Sequence, residues 1–323
     1  MPRVLFVVTV ALVTLAACTG AGAPSTSPSA VASATTSPTP APTSARTPAP
    51  TPVQLAADID IGGRTLHLFC VGTARDGQPT VIGESGLTGD SRTWNDIFYA
   101  VAERTRVCAY DRAGLNQSPP AAASVRTLQD QVDDLHALIA AADLGGPIIL
   151  AAHSSGAWNV ALYTSQHPDD VAGIVLADPR GSRVSAEWLA ALPPERAGEP
   201  EAIALNRDEL TRFEADPSLN DEHLDLRDAA QRVNAVLDPE TPLYGNRPLI
   251  VLQAGLTAMS WSDLPERLRV QFDRIWVDGQ RAYLGESTNS SAVAVADSDH
   301  DLPFMRPDAI IDALFDVLDQ VGS

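Results

Sequence analysis

Short apolar runs alternate with amphipathic stretches along most of this chain. Seven runs have the length and composition of buried strands: residues 64–71, 79–84, 106–110, 147–152, 171–177, 248–253 and 291–296. Most of them are apolar at successive positions, which is typical of strands covered on both faces and not of a half-exposed sheet. Helical periodicity lies between several of the runs. The pattern predicts an α/β fold with a mostly parallel sheet and helices on both faces.

Three helices are predicted from apolar residues that recur every three or four positions. The first carries Trp94 and Phe98 on one face, and the second covers residues 128–139. The last carries its apolar stripe over residues 310–318 and begins near Pro307, a residue type favoured in the first turn of a helix. These helices are the expected cover of the sheet.

One interval, residues 181–246, lacks a good strand. It is rich in Ala, Glu, Asp, Arg and Leu, and it contains helical patches at residues 185–192 and 201–215. We expect this segment to form a helical lid over a site at the adjacent strand ends. A simple surface elaboration is the alternative.

The N-terminus has the features of an export signal over residues 1–17. Arg3 precedes the apolar residues 4–17, a run shorter than the roughly 20 residues that a membrane-spanning helix needs. The run ends in Leu-Ala-Ala-Cys at residues 15–18, which resembles the lipobox of bacterial lipoproteins. That resemblance implies acylation of Cys18 after cleavage. An ordinary signal peptide ending near a cysteine is the alternative.

A tether is predicted after Cys18. Residues 19–52 are mainly Ser, Thr, Pro and Ala, with Arg46 as their only charge and no aromatic residue. Such a segment cannot bury enough apolar surface to offset the entropy of ordering its backbone. We therefore expect an exported domain at residues 53–323, held by a lipid on the outer side of the cell membrane.

The charge of the chain limits its partners. Its formal net charge is -19, and all 22 basic residues are arginine, a bias typical of a high-GC genome. A strongly acidic protein lacks the basic face that phosphate binding requires, so nucleic acid is not expected as a partner.

The most specific chemical signal is the sequence Ala-His-Ser-Ser-Gly at residues 152–156. It follows the apolar run 147–151 and precedes a predicted helix over residues 156–166. A serine between a strand and a helix, with small residues two positions before and after it, is the pattern of a nucleophile elbow. The tight turn exposes the hydroxyl to a base and a substrate. Ala152 stands where the pattern usually has Gly. Ser154 is the candidate nucleophile.

Two further motifs stand in the matching order. They are Glu-Ser-Gly-Leu-Thr-Gly at residues 84–89 and Tyr-Asp-Arg-Ala-Gly at residues 110–114. With the elbow, they make the chain resemble the α/β-hydrolase superfamily over residues 60–321. The resemblance implies an α/β-hydrolase fold in which the strands carrying Cys70 and Cys108 are neighbours, so a disulfide between these cysteines is expected in an oxidising location. Two free thiols are the alternative.

The resemblance also implies a catalytic base after the last strand. His300 occupies that position, because it follows the apolar run 291–296. The acid that would orient it does not stand at the position usual for the superfamily, since the loop after residue 253 holds no carboxylate before Asp263. Asp178, directly after the run 171–177, is our predicted acid, and Asp263 is the alternative.

The remaining site predictions concern the oxyanion hole and its surroundings. The resemblance implies that the backbone amides of Leu87 and Ser155 stabilise the oxyanion. Polar residues that recur in the motifs are expected to form an internal network rather than to act in catalysis. They are Glu84, Asp111 and Arg112.

No metal or cofactor is predicted. The histidines lack the spacing of a ligand set, and no phosphate loop or dinucleotide motif is found. We expect His153 to be structural, because adjacent side chains at an elbow point away from each other. No role is predicted for the remaining histidines, which are His67, His136, His167 and His223.

The functional hypothesis is a monomeric, membrane-tethered serine hydrolase that cleaves a carboxylic ester. Its substrate is expected to be a small-molecule ester or amide. A proline-iminopeptidase-like aminopeptidase is one alternative and would need a carboxylate to hold the substrate's free amino group. A non-catalytic lipoprotein that binds a ligand or a partner is the other alternative. The missing acid after Gln253 would then reflect the decay of a former catalytic site.

Overall fold

The core of the protein is a single eight-stranded sheet. In the computed structural model, residues 54–75, 77–237, 240–255 and 261–322 are described. The strands are β1 (Gln54–Asp60), β2 (Thr65–Val71), β3 (Thr80–Glu84), β4 (Val107–Tyr110), β5 (Ile148–His153), β6 (Val171–Ala177), β7 (Gly245–Ala254) and β8 (Ser287–Val295). The predicted signal peptide, Cys18 and the tether lie outside the described residues.

The strand order is β1-β2-β4-β3-β5-β6-β7-β8. β2 pairs antiparallel with both β1 and β4, and the other neighbours pair in parallel. The predicted mostly parallel sheet is thus confirmed. Our strand list missed β1, because its residues are largely exposed and carry no apolar run. An edge strand that pairs on one side only does not need one.

Helices cover both faces of the sheet, as the pattern predicted. Those among the described residues are α1 (Asn95–Val101), α2 (Leu128–Ala141), α3 (Gly156–Gln166), α4 (Val184–Ala191), α5 (Glu201–Ala215), α6 (Leu226–Val236), α7 (Glu266–Leu284), α8 (Leu302–Met305) and α9 (Pro307–Val321). The apolar stripes of α2, α3 and α6 share one core cluster with the sheet, and those of α1 and α9 share another. None of these helices is long and apolar enough to span a bilayer.

The segment between β6 and β7 contains three helices, α4, α5 and α6. A third core cluster joins α4 and α5 to α7 through residues such as Trp188, Ile203 and Phe272. α6 instead packs into the main core beside α2 and α3. The segment is therefore anchored to the body at its C-terminal end, while α4 and α5 rest on α7.

Cys70 and Cys108 form a disulfide. They are directly opposite each other in the antiparallel pair of β2 and β4, and both are buried. The predicted bond is confirmed, and it joins two strands that pairing already holds in register.

Candidate active site

Ser154 occupies a strained turn between β5 and α3. Its φ of 52° lies in the left-handed region, which is costly for a residue other than glycine and is typical of a nucleophile elbow. Its backbone amide donates to the carbonyl of Ala177 at 3.1 Å. A Cβ at Gly156 would meet the carbonyl oxygen of Glu84 at 2.5 Å, so this position requires glycine. These constraints fix the serine at the edge of the sheet where the parallel strands have their carboxyl ends.

Asp178 and His300 are in direct contact. Nδ1 of His300 donates to Oδ2 of Asp178 at 2.7 Å. Asp178 follows the end of β6 and has a φ of 44°, so the chain turns sharply there, as it does at Ser154. Its side chain is 1% exposed, whereas that of His300 is 23% exposed. The imidazole thus keeps its Nε2 edge for other groups while the buried carboxylate orients it.

Three more groups donate to the Asp178 carboxylate. Oδ1 accepts from the amide of Ala254 at 3.1 Å and from Nε2 of Gln280 at 2.5 Å. Oδ2 also accepts from Nε1 of Trp276 at 3.1 Å. A buried carboxylate needs such donors because burial removes its hydration. The network therefore holds Asp178 in one orientation toward His300.

The sequence reasoning missed Trp276 and Gln280, which both lie on α7. The available signal was the helical spacing of Leu268, Phe272, Trp276 and Gln280, all of which are buried. A glutamine on an otherwise apolar face indicates a buried polar partner, and here that partner is Asp178. Only the fold shows which carboxylate it meets.

Asp263 does not take part in this contact. Its Oδ2 accepts from Nδ2 of Asn206 at 3.0 Å, and the residue lines a different cavity, beside α5. Asp178 is therefore the acid that contacts His300, and the alternative acid is placed elsewhere. Asp178 directly follows β6, the neighbour of the elbow strand, whereas Asp263 stands well beyond the end of β7.

The loop after β3 lies directly against the elbow. A Cβ at Gly86 would approach Cβ of Ser154 and Nδ1 of His153 to 3.1 Å each. The next residue, Leu87, lines the cavity that contains Ser154. Within the described residues, the amides of Leu87 and Ser155 donate to no protein acceptor. Two free donors at such a place are the requirement for binding a developing oxyanion.

A buried ionic network holds this loop from behind. The guanidinium of Arg112 donates to Glu84 at 2.9 Å, to Glu222 at 2.6 Å, and to the carbonyls of Ser85 and Gly86. Burial would lower the pKa of Arg112, but the carboxylates of Glu222 and Glu84 outweigh burial and raise it. Arg112 therefore remains a permanent cation beneath the loop.

Glu222 belongs to the segment between β6 and β7, and the sequence reasoning did not single it out. Its Oε1 accepts from the amide of Thr88 at 2.7 Å as well as from Arg112. Burial raises the pKa of Glu84 above its usual value, and the Arg112 charge with the hydrogen bonds from Tyr110 and Asn159 offsets only part of that rise. Glu84 and Arg112 thus form the expected network, while Asp111 binds separately, accepting from the amide of Ser91.

The contacts of His153 fit the structural role that we expected, but its ring lines the same cavity as Ser154 instead of pointing away from it. Its ring lies 4.8 Å from the ring of His300, and its Nε2 donates to the backbone carbonyl of His300 at 2.7 Å. Burial, followed by the proximity of His300, lowers the pKa of His153 to about 4. A neutral His153 thus supports the loop that carries His300.

Ser154 and His300 line one cavity of about 760 Å³. Its wall includes aromatic side chains from the segment after β6 and from the C-terminal helices, namely Trp188, Phe213, Trp276 and Phe304. The Ser154 hydroxyl makes no hydrogen bond within the described part of the chain. A hydrogen bond between a nucleophile and its base commonly forms at full strength only when substrate is bound. The arrangement suits nucleophilic attack by an activated serine.

The family of the chain is shown by comparison with known proteins. Residues 81–313 match the model described as the alpha/beta hydrolase family. The chain belongs to this family. A protein of Bacillus subtilis (strain 168), the uncharacterised YqjL, is 25% identical over 239 residues, which are 74% of this chain and 83% of YqjL.

Solved structures agree on the fold. The 2-hydroxy-6-oxo-6-phenylhexa-2,4-dienoate hydrolase of Rhodococcus sp. strain RHA1 gives a TM-score of 0.57 at 14% identity, covering 83% of this chain and 100% of that one. A thermophilic esterase of Thermogutta terrifontis gives a TM-score of 0.52 at 19% identity, covering 84% and 100%. At these identities the likeness concerns the fold.

Proposed function

We propose that the protein is a serine hydrolase that cleaves a small carboxylic ester through an acyl-enzyme. The observation that carries the proposal is the convergence of Ser154, His300 and Asp178 from three strand ends, with the latter two in contact. Membership of the alpha/beta hydrolase family supports hydrolytic chemistry. The aromatic cavity wall supports a substrate with an apolar part.

The proposed reaction begins with attack of the Ser154 hydroxyl on the ester carbonyl. Nε2 of His300 takes the hydroxyl proton, and Asp178 stabilises the resulting imidazolium. The amides of Leu87 and Ser155 stabilise the oxyanion of the tetrahedral intermediate. His300 then gives its proton to the leaving alcohol. A water molecule, activated by the same imidazole, hydrolyses the acyl-enzyme and releases the acid.

Of the two alternatives from the sequence, the non-catalytic protein has less support. The decay argument rested on a missing acid, and Asp178 is in contact with His300.

An aminopeptidase would need a carboxylate for the substrate's amino group. Acidic residues line the cavity that contains Ser154, among them Asp96 and Asp301, so substrate specificity has to separate this alternative from ester hydrolysis.

Export and lipid anchoring are part of the proposal. They rest on the sequence of residues 1–52, in which an apolar leader precedes Cys18 and a segment rich in proline, serine and threonine. A disulfide between Cys70 and Cys108 supports an oxidising compartment. The enzyme would then meet its substrate outside the cytoplasm.

The decisive experiment is labelling of the purified chain with a fluorophosphonate, followed by intact-mass analysis. This reagent reports an activated serine without assuming a substrate. We expect one adduct on the wild type and none on Ser154→Ala or His300→Ala. A panel of p-nitrophenyl esters and aminoacyl anilides then separates ester from aminopeptidase activity.

The acid is tested by a matched pair of variants. Asp178→Asn should lower kcat by about 10³- to 10⁴-fold, as expected when the residue that orients the base loses its charge. Asp263→Asn should leave kcat unchanged. A folded wild type that takes up no label would contradict the proposal, and equal activity of Asp178→Asn and wild type would exclude the assigned triad.

A further inference from the structure

His136 and His167 stack face to face on the side of the molecule that carries α2 and α3. Their ring centroids are 3.9 Å apart, and their planes differ by 4°. The carboxylate of Asp170 is beside them, so that one nitrogen of each ring and one carboxylate oxygen all lie within 4.8 Å of one another. Among the described residues, the ring nitrogens of this pair form no hydrogen bond with a protein group. Three ligand atoms are thus close together and largely unused.

The three residues are held by different elements. His136 lies on α2, His167 directly follows α3, and Asp170 ends a short 3₁₀ helix before β6. Oδ2 of Asp170 accepts from the hydroxyl of Tyr163 at 2.9 Å. A hydrogen bond of this kind from an outer group is common behind metal-binding carboxylates, because it fixes their orientation.

The helices that carry the histidines are tied together next to the cluster. The amide side chains of Gln129 on α2 and Gln166 on α3 bond to each other in both directions, at 2.9 Å and 2.7 Å. This pair limits the separation of the two helices. The ligand atoms lie within 4.8 Å of one another, so the side chains have to move closer to share one ion.

We propose that His136, His167 and Asp170 form a binding site for a divalent transition-metal ion of the Zn²⁺ type. Two imidazoles and one carboxylate make a common donor set for such ions, whereas Ca²⁺ and Mg²⁺ prefer oxygen donors throughout. Metal–ligand distances of about 2.0–2.2 Å require the ligand atoms to be roughly 3.3 Å apart. The exposed His136 side chain can rotate out of the stack to reach this distance, and water completes the coordination.

The charge of the cluster also suits a cation, because Asp170 supplies a negative charge that offsets part of the charge of a bound ion.

The site is structural and not catalytic. Asp170 immediately precedes β6, whereas Asp178 immediately follows it, so the two carboxylates lie at opposite ends of a seven-residue strand. At about 3.3 Å per residue, that strand separates them by roughly 25 Å. A bound ion would cross-link α2 to the connection between α3 and β6. We expect it to raise the melting temperature without changing the chemistry at Ser154.

The test is a titration of the full chain, stripped with EDTA, with Co²⁺ followed by visible absorption and with Zn²⁺ followed by calorimetry. We expect one equivalent to bind and the melting temperature to rise. His136→Ala and His167→Ala should each weaken binding at least tenfold, and Asp170→Asn, which keeps an acceptor for Tyr163, should weaken it less. His223→Ala is the matched control, because the ring of this exposed histidine bonds, within the part of the chain that the structure describes, only to the carbonyl of Ser124.

The outcomes are separable. Binding of one equivalent that His136→Ala abolishes and His223→Ala preserves would support the site. Absence of saturable binding, or equal affinity in His136→Ala, His167→Ala and wild type, would overturn it. Because His136 is exposed, its alanine variant should fold normally, and a wild-type melting temperature in EDTA confirms that the loss concerns the ion.

Discussion

The imidazole of His153 shows how a single buried side chain can support a site without joining its chemistry. It donates to the backbone carbonyl of His300 and lies in the wall of the same cavity. It is 8% exposed, so its charged form would lose most of its hydration. The pKa of about 4 follows from that burial, and from the nearby His300.

This shift gives a prediction for acid stability. The pKa of His153 is about 4 in the folded protein, against 6.5 for an ordinary histidine. As pH falls from 6.5 toward 4, the unfolded chain binds a proton that the folded chain does not, so the free energy of unfolding decreases. The full effect is about 3 kcal/mol. His153→Gln, which keeps a donor for the carbonyl of His300, should remove this part of the pH dependence.

Urea unfolding at pH 7 and pH 4.5 measures the contribution of His153 to the free energy of unfolding. Between these values the wild type should lose about 2 kcal/mol more than His153→Gln. The carboxylates titrate in the wild type and in His153→Gln alike, so their contribution cancels in the difference. Identical pH slopes would mean that His153 is accessible to protons in the folded state.

At the scale of elements, the loop after β3 is held by the segment between β6 and β7. Glu222 accepts from the amide of Thr88 and binds Arg112, which in turn donates to the carbonyls of Ser85 and Gly86. Glu222 is 3% exposed and Arg112 is 6% exposed. Hydrogen-bonded charges in such a buried place are costly to disrupt, so they restrict the position of the loop.

Glu222→Gln should therefore impair catalysis from a distance. The neutral amide weakens the hold on Arg112 and on the amide of Thr88, so the predicted donor at Leu87 is less well placed. We expect kcat to fall by about 10- to 100-fold, with a smaller change in KM, since an oxyanion donor acts mainly in the transition state. Steady-state kinetics with an ester substrate measure both constants.

The matched control is Asp208→Asn, which breaks an ion pair in the same segment. Asp208 pairs with Arg212 at 3.4 Å, and both side chains are more than 60% exposed, so little change is expected. If folded Glu222→Gln retained the wild-type kcat, the loop would not depend on this network.

The disulfide acts on the paired strands β2 and β4. Cys70 and Cys108 are separated by 38 residues in sequence. Closing a loop of this length lowers the entropy of the unfolded chain and stabilises the fold by about 4 kcal/mol. The Cys70→Ala/Cys108→Ala variant should lose about 2–4 kcal/mol in urea unfolding. The same loss should follow reduction of the wild type, and a stability unaffected by both changes would contradict it.

At the scale of the whole molecule, location is proposed to depend on Cys18. In a bacterial host that processes lipoproteins, Cys18→Ser should move the protein from the membrane fraction to the soluble fraction. Esterase activity per molecule should persist, because the site lies in the described domain. The Cys70→Ala/Cys108→Ala variant is the control and should stay in the membrane fraction. Membrane retention of Cys18→Ser would exclude acylation as the anchor.

Much of the fold followed from local pattern. Buried parallel strands are apolar throughout, and several helices carry regular stripes, so these elements could be located from sequence. α6 and α7 were not predicted. The exposed edge strand β1 could not be located, because one-sided pairing imposes no apolar pattern on its residues. α7 carries an apolar stripe, but the stripe does not show that Trp276 and Gln280 bind Asp178, which lies at the end of β6.

The sequence by itself determined the succession along the chain of the buried strands and several helices, and the turn at Ser154, because these depend on neighbouring residues and on steric limits of the backbone. It also placed His300 and Asp178 among the candidates. Only the tertiary structure brought Asp178 and not Asp263 into contact with His300, brought Glu222 to the loop after β3, and stacked His136 on His167. These are contacts between residues far apart in the chain, and they are set by the order of strands within the sheet and by helix packing, which no local pattern records.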